Sequence, residues 1–145
     1  MNKTTSLSEY VKKRNGVAIG FPGSMSNMLK RSLGANSFYL FWQYWNPIWG
    51  YYLSLKIMKP LSRIFPLWLA IMMTFGVSGM LHDLAITIVK WKLTFLFTPW
   101  FLLISLIVLA TKAFGISYKN HHWLVRASIN IGLIVLCFFS TRLFV

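Results

Sequence analysis

One unbroken apolar stretch decides most of what this chain can become. Phe65 to Val89 reads FPLWLAIMMTFGVSGMLHDLAITIV, and His82 and Asp83 are its only ionisable residues. As a helix rising about 1.5 Å per residue, such a stretch is long enough to cross the hydrocarbon core of a bilayer. Ionisable groups at that depth cost several kcal/mol by most estimates, so they face a cavity, a partner or a pathway. His82 is therefore the first residue to examine for chemistry. Upstream of it lies Asn46, in the aromatic stretch FYLFWQYWNP.

The composition agrees with a membrane setting. Of 145 residues, 57% are hydrophobic and 12% charged, against about a quarter charged in an ordinary soluble domain. Seven Trp fit a bundle with many interfacial ends. Lys and Arg total 15 against two acids, Glu9 and Asp83. The basic residues sit between or beside the apolar runs and form no stripe on a soluble fold. They read as determinants of orientation and attraction to anionic membrane lipids, with no nucleic-acid partner expected. The lone Cys137 lies in an apolar run, which excludes an intrachain disulfide and a cysteine metal site and leaves a small hydrophobe. No apolar core follows the polar N-terminus, so no secretory signal is expected there.

The expected fold is all-α and multi-pass: about three transmembrane helices plus a re-entrant or interfacial aromatic segment. Residues 1–37 form a basic cytoplasmic or interfacial lead that can hold short surface helices, and 38–145 form the membrane domain. Within it, 65–89, 93–111 and 123–141 are the expected spans. Residues 38–57 are aromatic but contain Gln43, Asn46, Pro47 and Gly50. Pro47 lacks a backbone donor and disfavours helix at Asn46, so a break is expected there. Irregular backbone at membrane depth is tolerated only under cover of protein or around a water-filled cavity. If 38–57 does not cross, 12 Lys or Arg lie on the side of the N-terminus and 3 on the other; if it crosses, the split is 9 to 6. The positive-inside rule favours the first layout, with a cytoplasmic N-terminus.

On a helix, residues three and four apart share a face, which aligns Phe75, Ser78, Gly79, His82 and Ile86. Small Ser78 and Gly79 would let a neighbouring helix or a substrate chain approach. Asp83 is turned about 100° away and is expected to meet another partner, a Trp or Lys, without orienting His82. An imidazole titrates near pH 6.5, roughly, and suits a general base. In acyl transfer it would deprotonate an acceptor hydroxyl for attack on a thioester, while an asparagine amide would orient substrate or donate to developing oxyanion charge. The competing reading of His82 is a packing histidine satisfied by a neighbouring carbonyl. His121 and His122 are adjacent in a loop, tend to point apart, and have no acidic or cysteine partner nearby, so no metal site is expected. Asn130 and Gly132 read as helix-packing positions.

Two motifs carry a resemblance. The segment SFYLFWQYWNP, with Phe41, Trp42, Trp45 and Asn46, resembles the asparagine motif of the membrane-bound O-acyltransferase family, in its wax synthase-like branch. TFGVSGMLHDL, with Ser78, Gly79, His82 and Asp83, resembles that branch's histidine motif, and order and spacing agree. The resemblance covers residues 35–115. It implies His82 as catalytic base, Asn46 as a second active-site residue, acyl-CoA as co-substrate entering from the cytoplasmic side, and a hydroxyl-bearing acceptor, with no further cofactor. Members of that family are several times longer. The alternative expectation is therefore a non-catalytic small membrane subunit or remnant packed against a larger partner; a homo-oligomer is a further possibility.

Overall fold

The computed structural model describes residues 4–145, and Lys3, counted above with the basic lead, lies outside them. Among the described residues there are helices and turns and no β-strand. Helix α1 (Leu7–Asn15) opens with a capping box, Ser6 Oγ accepting from Glu9 N while the Glu9 carboxylate accepts from Ser6 N. It closes on Gly16 at φ 82°, a left-handed position that a glycine takes without a Cβ clash. Helix α2 (Ser24–Leu33) completes the lead.

Helix α3 (Phe38–Tyr44) stops just short of Asn46, where the expected break falls. Asn46 takes φ 39°, ψ 69° and caps α4 (Pro47–Leu53), its Oδ1 accepting from Trp49 N at 3.3 Å. Asparagine tolerates this left-handed conformation, and Pro47 occupies the first helical position, where no N–H is needed. From α4 the chain continues through a π-helical turn (Ser54–Met58) into the short α5 (Lys59–Ser62). Pro60 gives the turn a cause: in a regular helix its ring would press on the carbonyl four residues back.

Two long helices follow, α6 (Leu67–Lys90) and, after α7 (Phe97–Ala113), α8 (Trp123–Phe144). Both α6 and α8 are long and apolar enough to cross a membrane; α7 is apolar but has only 17 residues. The second apolar element thus begins at Phe97 rather than 93. Trp91, at φ 52°, closes α6, and the Asp83 carboxylate collects the first amides of α7. Pro99 is tolerated in the first turn, where its missing N–H has no intrahelical role.

Helices α6 and α7 are antiparallel. A Cβ on Gly76 would lie 3.3 Å from Leu102, whereas one on Gly79 would lie 2.7 Å from Phe97 O and Thr98 Cα. Phe38 of α3, Ile104 and Val108 of α7, and Cys137 of α8 form the buried core where these elements meet. Tyr39, early in α3, lies under Lys112 Nζ at the C-terminal end of α7, 4.7 Å from the ring centroid. Segment 38–62 therefore starts beside the C-terminus of α7 and ends a few residues before the N-terminus of α6, at one end of the antiparallel pair.

The lead is tied to that same end. Asn130 of α8, fully buried, donates to the carbonyls of Leu33 (2.8 Å) and Ala35 (3.2 Å) and accepts from the Tyr118 hydroxyl. Trp123 Nε1 donates to Lys30 O, and Arg126 donates to Asn36 Oδ1. Asn130 is thus a packing residue, as its place in an apolar helix predicts. His122 serves locally as well, its Nδ1 accepting from Leu124 N at the start of α8.

Candidate functional site

The α3–α4 hairpin does not lie flush on α6. Between them is a cavity of about 280 Å³, with His82, Ser78 and Phe75 of α6 on one wall and Trp42, Asn46 and Trp49 of the hairpin on the other. Phe101 of α7 also lines it. The two residues singled out in the sequence, Asn46 and His82, are therefore brought to one space, although they stand on separate elements. Asn46 also borders a second hollow, against Met28 of α2.

The environment of His82 fixes its proton. Nδ1 lies 2.7 Å from Ser78 O, in the preceding turn of the same helix. A carbonyl oxygen only accepts, so Nδ1 carries the hydrogen and Nε2 of the neutral ring is left with its lone pair. His82 is an exposed residue whose ring is flanked by aromatic rings: Phe101 at 5.1 Å and Phe97 at 5.6 Å, both tilted, and Trp49 edge-on at 6.4 Å between centroids. The packing reading thus describes one nitrogen of His82. The other retains the ability to take a proton.

Asp83 has a different role and a different partner from the expected Trp or Lys. It is 5% exposed. Oδ1 accepts from Leu96 N (2.9 Å) and Phe97 N (2.8 Å); Oδ2 accepts from Thr98 N (2.8 Å) and Thr98 Oγ1 (2.7 Å). A carboxylate here satisfies the orphan donors of a helix N-terminus and meets the positive end of its dipole. A single Trp or Lys would satisfy fewer of its lone pairs. The helix period explains the division: Gly76, Gly79 and Asp83 share the face toward α7, while Phe75, Ser78 and His82 share the face toward the cavity. Gly79 consequently belongs with Asp83 and not, as the sequence spacing suggested, with His82.

Two features of the cavity escaped the sequence reading. Trp49 Nε1 donates to Ser78 Oγ at 3.1 Å, bridging hairpin and α6 beside His82; its place one turn after Asn46 was the available signal. Arg14 of α1, half-buried, lines the cavity and donates to Gln43 Oε1. In the sequence it is merely the third member of a basic cluster. Trp42 Nε1 is buried with no hydrogen-bond partner, in a ring packed on Phe75 at 5.5 Å.

Chemically, the cavity offers a base with a fixed tautomer, an asparagine whose Oδ1 is committed to capping while Nδ2 remains a donor, and mostly apolar, aromatic walls. That combination suits a substrate with a hydrocarbon part and one reacting polar centre. No family model matches the chain, and no curated protein or solved structure matches it either.

Proposed function

We propose that this protein is an integral membrane O-acyltransferase, moving an acyl group from acyl-CoA to a hydroxyl acceptor as the wax synthase-like branch of the membrane-bound O-acyltransferases does. The observation that carries the reading is the His82 imidazole, its Nδ1 bonded to Ser78 O at 2.7 Å and its Nε2 unspent, in a cavity shared with Asn46. In this reading α6, α7 and α8 cross the bilayer. The N-terminal lead and both ends of segment 38–62 lie on the cytoplasmic side, where the basic residues concentrate. Helix α7, about 25 Å long at 1.5 Å per residue, crosses a locally thinned bilayer.

The reaction needs one proton carried in both directions. His82 Nε2 takes the proton of the acceptor hydroxyl as its oxygen attacks the thioester carbonyl carbon. The carbonyl oxygen gains negative charge, toward which Asn46 Nδ2 donates. Collapse of the tetrahedral centre re-forms the carbonyl, breaks the carbon–sulfur bond and expels the thiolate, which recovers the proton from the imidazolium. Ester and free thiol leave, and the base is regenerated.

The alternative, a non-catalytic membrane subunit, draws on the outer face of α8, where Leu136, Phe139 and Leu143 are exposed; in a bilayer, lipid covers that face equally well. Membranes carrying the chain are expected to move label from acyl-CoA into a lipid ester, with His82→Ala inactive yet inserted at wild-type levels. Wild-type turnover by a correctly inserted His82→Ala protein would remove His82 from the mechanism. Co-purification of a second membrane protein, with no transfer by the chain alone, would favour the subunit reading.

A further inference from the structure

The chain contains two side-chain carboxylates, and both are engaged. Glu9 accepts from Ser6 N at 3.0 Å in the capping box of α1, and Asp83 is surrounded by the four donors at the start of α7. Arg14 nevertheless has its guanidinium at the cavity, half-buried, where the neighbouring Lys12 and Lys13 are exposed. It is the one Lys or Arg lining that cavity among the described residues. Its polar neighbours are neutral: it donates to Gln43 Oε1, and its Cζ stands 5.0 Å from the Tyr10 ring centroid. Arg14 is thus a half-buried guanidinium bordering a mostly apolar cavity, with both side-chain carboxylates of the chain engaged elsewhere, and its remaining donors are placed to meet an anionic group in that cavity.

We infer that Arg14, with Gln43 and Tyr10 beside it, is the binding site for the phosphate group of the cavity's ligand. The guanidinium has five N–H donors in a planar fork that matches phosphate oxygens in bidentate geometry. Gln43 occupies part of the fork and holds its orientation. Further cations stand on the segment that contributes Ser54 and Met58 to the cavity wall: Lys56 and Lys59 are exposed there, and raise the local concentration of anions. The site therefore selects amphiphiles with a phosphate at one end and an apolar portion reaching along the aromatic walls toward His82. This deepens the acyl-transfer reading and rests on it, because the donor there is a phosphate-bearing thioester.

The test is binding, read without turnover. Purified protein in maltoside micelles is titrated with coenzyme A, with dodecyl phosphate and with dodecanol, following the fluorescence of the cavity tryptophans. Dodecyl phosphate is expected to bind more tightly than dodecanol, and Arg14→Gln to weaken phosphate binding by about tenfold or more. Arg142→Gln, an exposed position near the end of α8 that does not line the cavity, should leave that affinity in place. Arg14→Lys keeps the charge and loses the fork, and is expected to give an intermediate affinity; it also serves if Arg14→Gln does not fold. Coenzyme A binding that depends on Arg14 identifies the coenzyme as the phosphate source, and Arg14-dependent binding of dodecyl phosphate alone identifies a lipid headgroup. Equal affinity for dodecanol and dodecyl phosphate, or full phosphate affinity in either folded Arg14 variant, overturns the assignment. Arg14-dependent binding without transfer would defeat the acyltransferase reading and leave this one standing. Transfer by Arg14→Gln with both its KM for acyl-CoA and its dodecyl phosphate affinity unchanged would do the reverse.

Discussion

Replacing Asp83 tests whether the acid beside the histidine is a structural anchor or part of the chemistry. Its carboxylate accepts four hydrogen bonds of 2.7–2.9 Å from Leu96, Phe97 and Thr98 at the start of α7. Asp83→Ala strands three backbone N–H groups, that of Thr98 buried and those of Leu96 and Phe97 part-buried. At about 1–3 kcal/mol per stranded donor, and allowing for partial relaxation, the expected loss is about 3–5 kcal/mol. Asp83→Asn keeps one accepting oxygen, turns an NH2 toward Thr98 N, and removes the negative charge from the helix N-terminus; about 2–3 kcal/mol is expected. Thr98→Val removes a single hydroxyl bond and costs about 1 kcal/mol. Reversible unfolding in mixed micelles, titrated with a denaturing detergent, resolves this series. If Asp83→Ala and Asp83→Asn both unfold within about 0.5 kcal/mol of wild type, the carboxylate does not anchor α7, and its separation from His82's role is wrong.

Other expectations follow from the same geometry. Gly79→Ala places a Cβ 2.7 Å from the backbone of Phe97 and Thr98; neither atom can swing aside, so a loss of about 1–3 kcal/mol is expected in the same unfolding assay. At Asn46, alanine confounds two effects, since it loses the cap on Trp49 N and strains the left-handed backbone, together about 2 kcal/mol. Asn46→Asp keeps the cap, replaces the Nδ2 donor by a carboxylate oxygen and adds a negative charge where oxyanion charge would develop, so acyl transfer should fall while the unfolding midpoint stays near wild type. Tyr118 lies outside the long apolar helices, between α7 and α8, and burial pushes its pKa up to about 12. Because the folded value lies above the unfolded one, about 10, its contribution is complete below pH ~10 and is lost as pH rises toward ~12, by up to about 1.4 kcal/mol per unit. Tyr118→Phe should flatten that alkaline loss in a pH series of unfolding midpoints.

The residues that were legible from sequence were those with strong local rules. Pro47 disfavours helix at Asn46, and the chain breaks there. The apolar run around His82 became one uninterrupted helix, closed within a residue or two of the expected ends. Asn130, an amide in an apolar helix, found the carbonyls it needed. What was hidden depended on contacts between elements. The start of α7 is set by Asp83, which lies on a different helix, so apolar content alone placed it too early. The faces of α6 divide according to which neighbour each touches, and an i, i+3, i+4 list contains Gly79 and His82 together. Arg14 could be distinguished from Lys12 and Lys13 only by where α1 packs.

The most direct test of the account is transfer by the purified chain alone. Protein reconstituted in liposomes containing a long-chain alcohol is given acyl-labelled acyl-CoA, beside a His82→Gln protein with the same unfolding midpoint. Label entering an ester with wild type, and a loss of about a hundredfold or more in His82→Gln, is the predicted result. Ester formation no faster than in protein-free liposomes, or equal in both proteins, would contradict the assignment of His82 as the base of an acyltransferase.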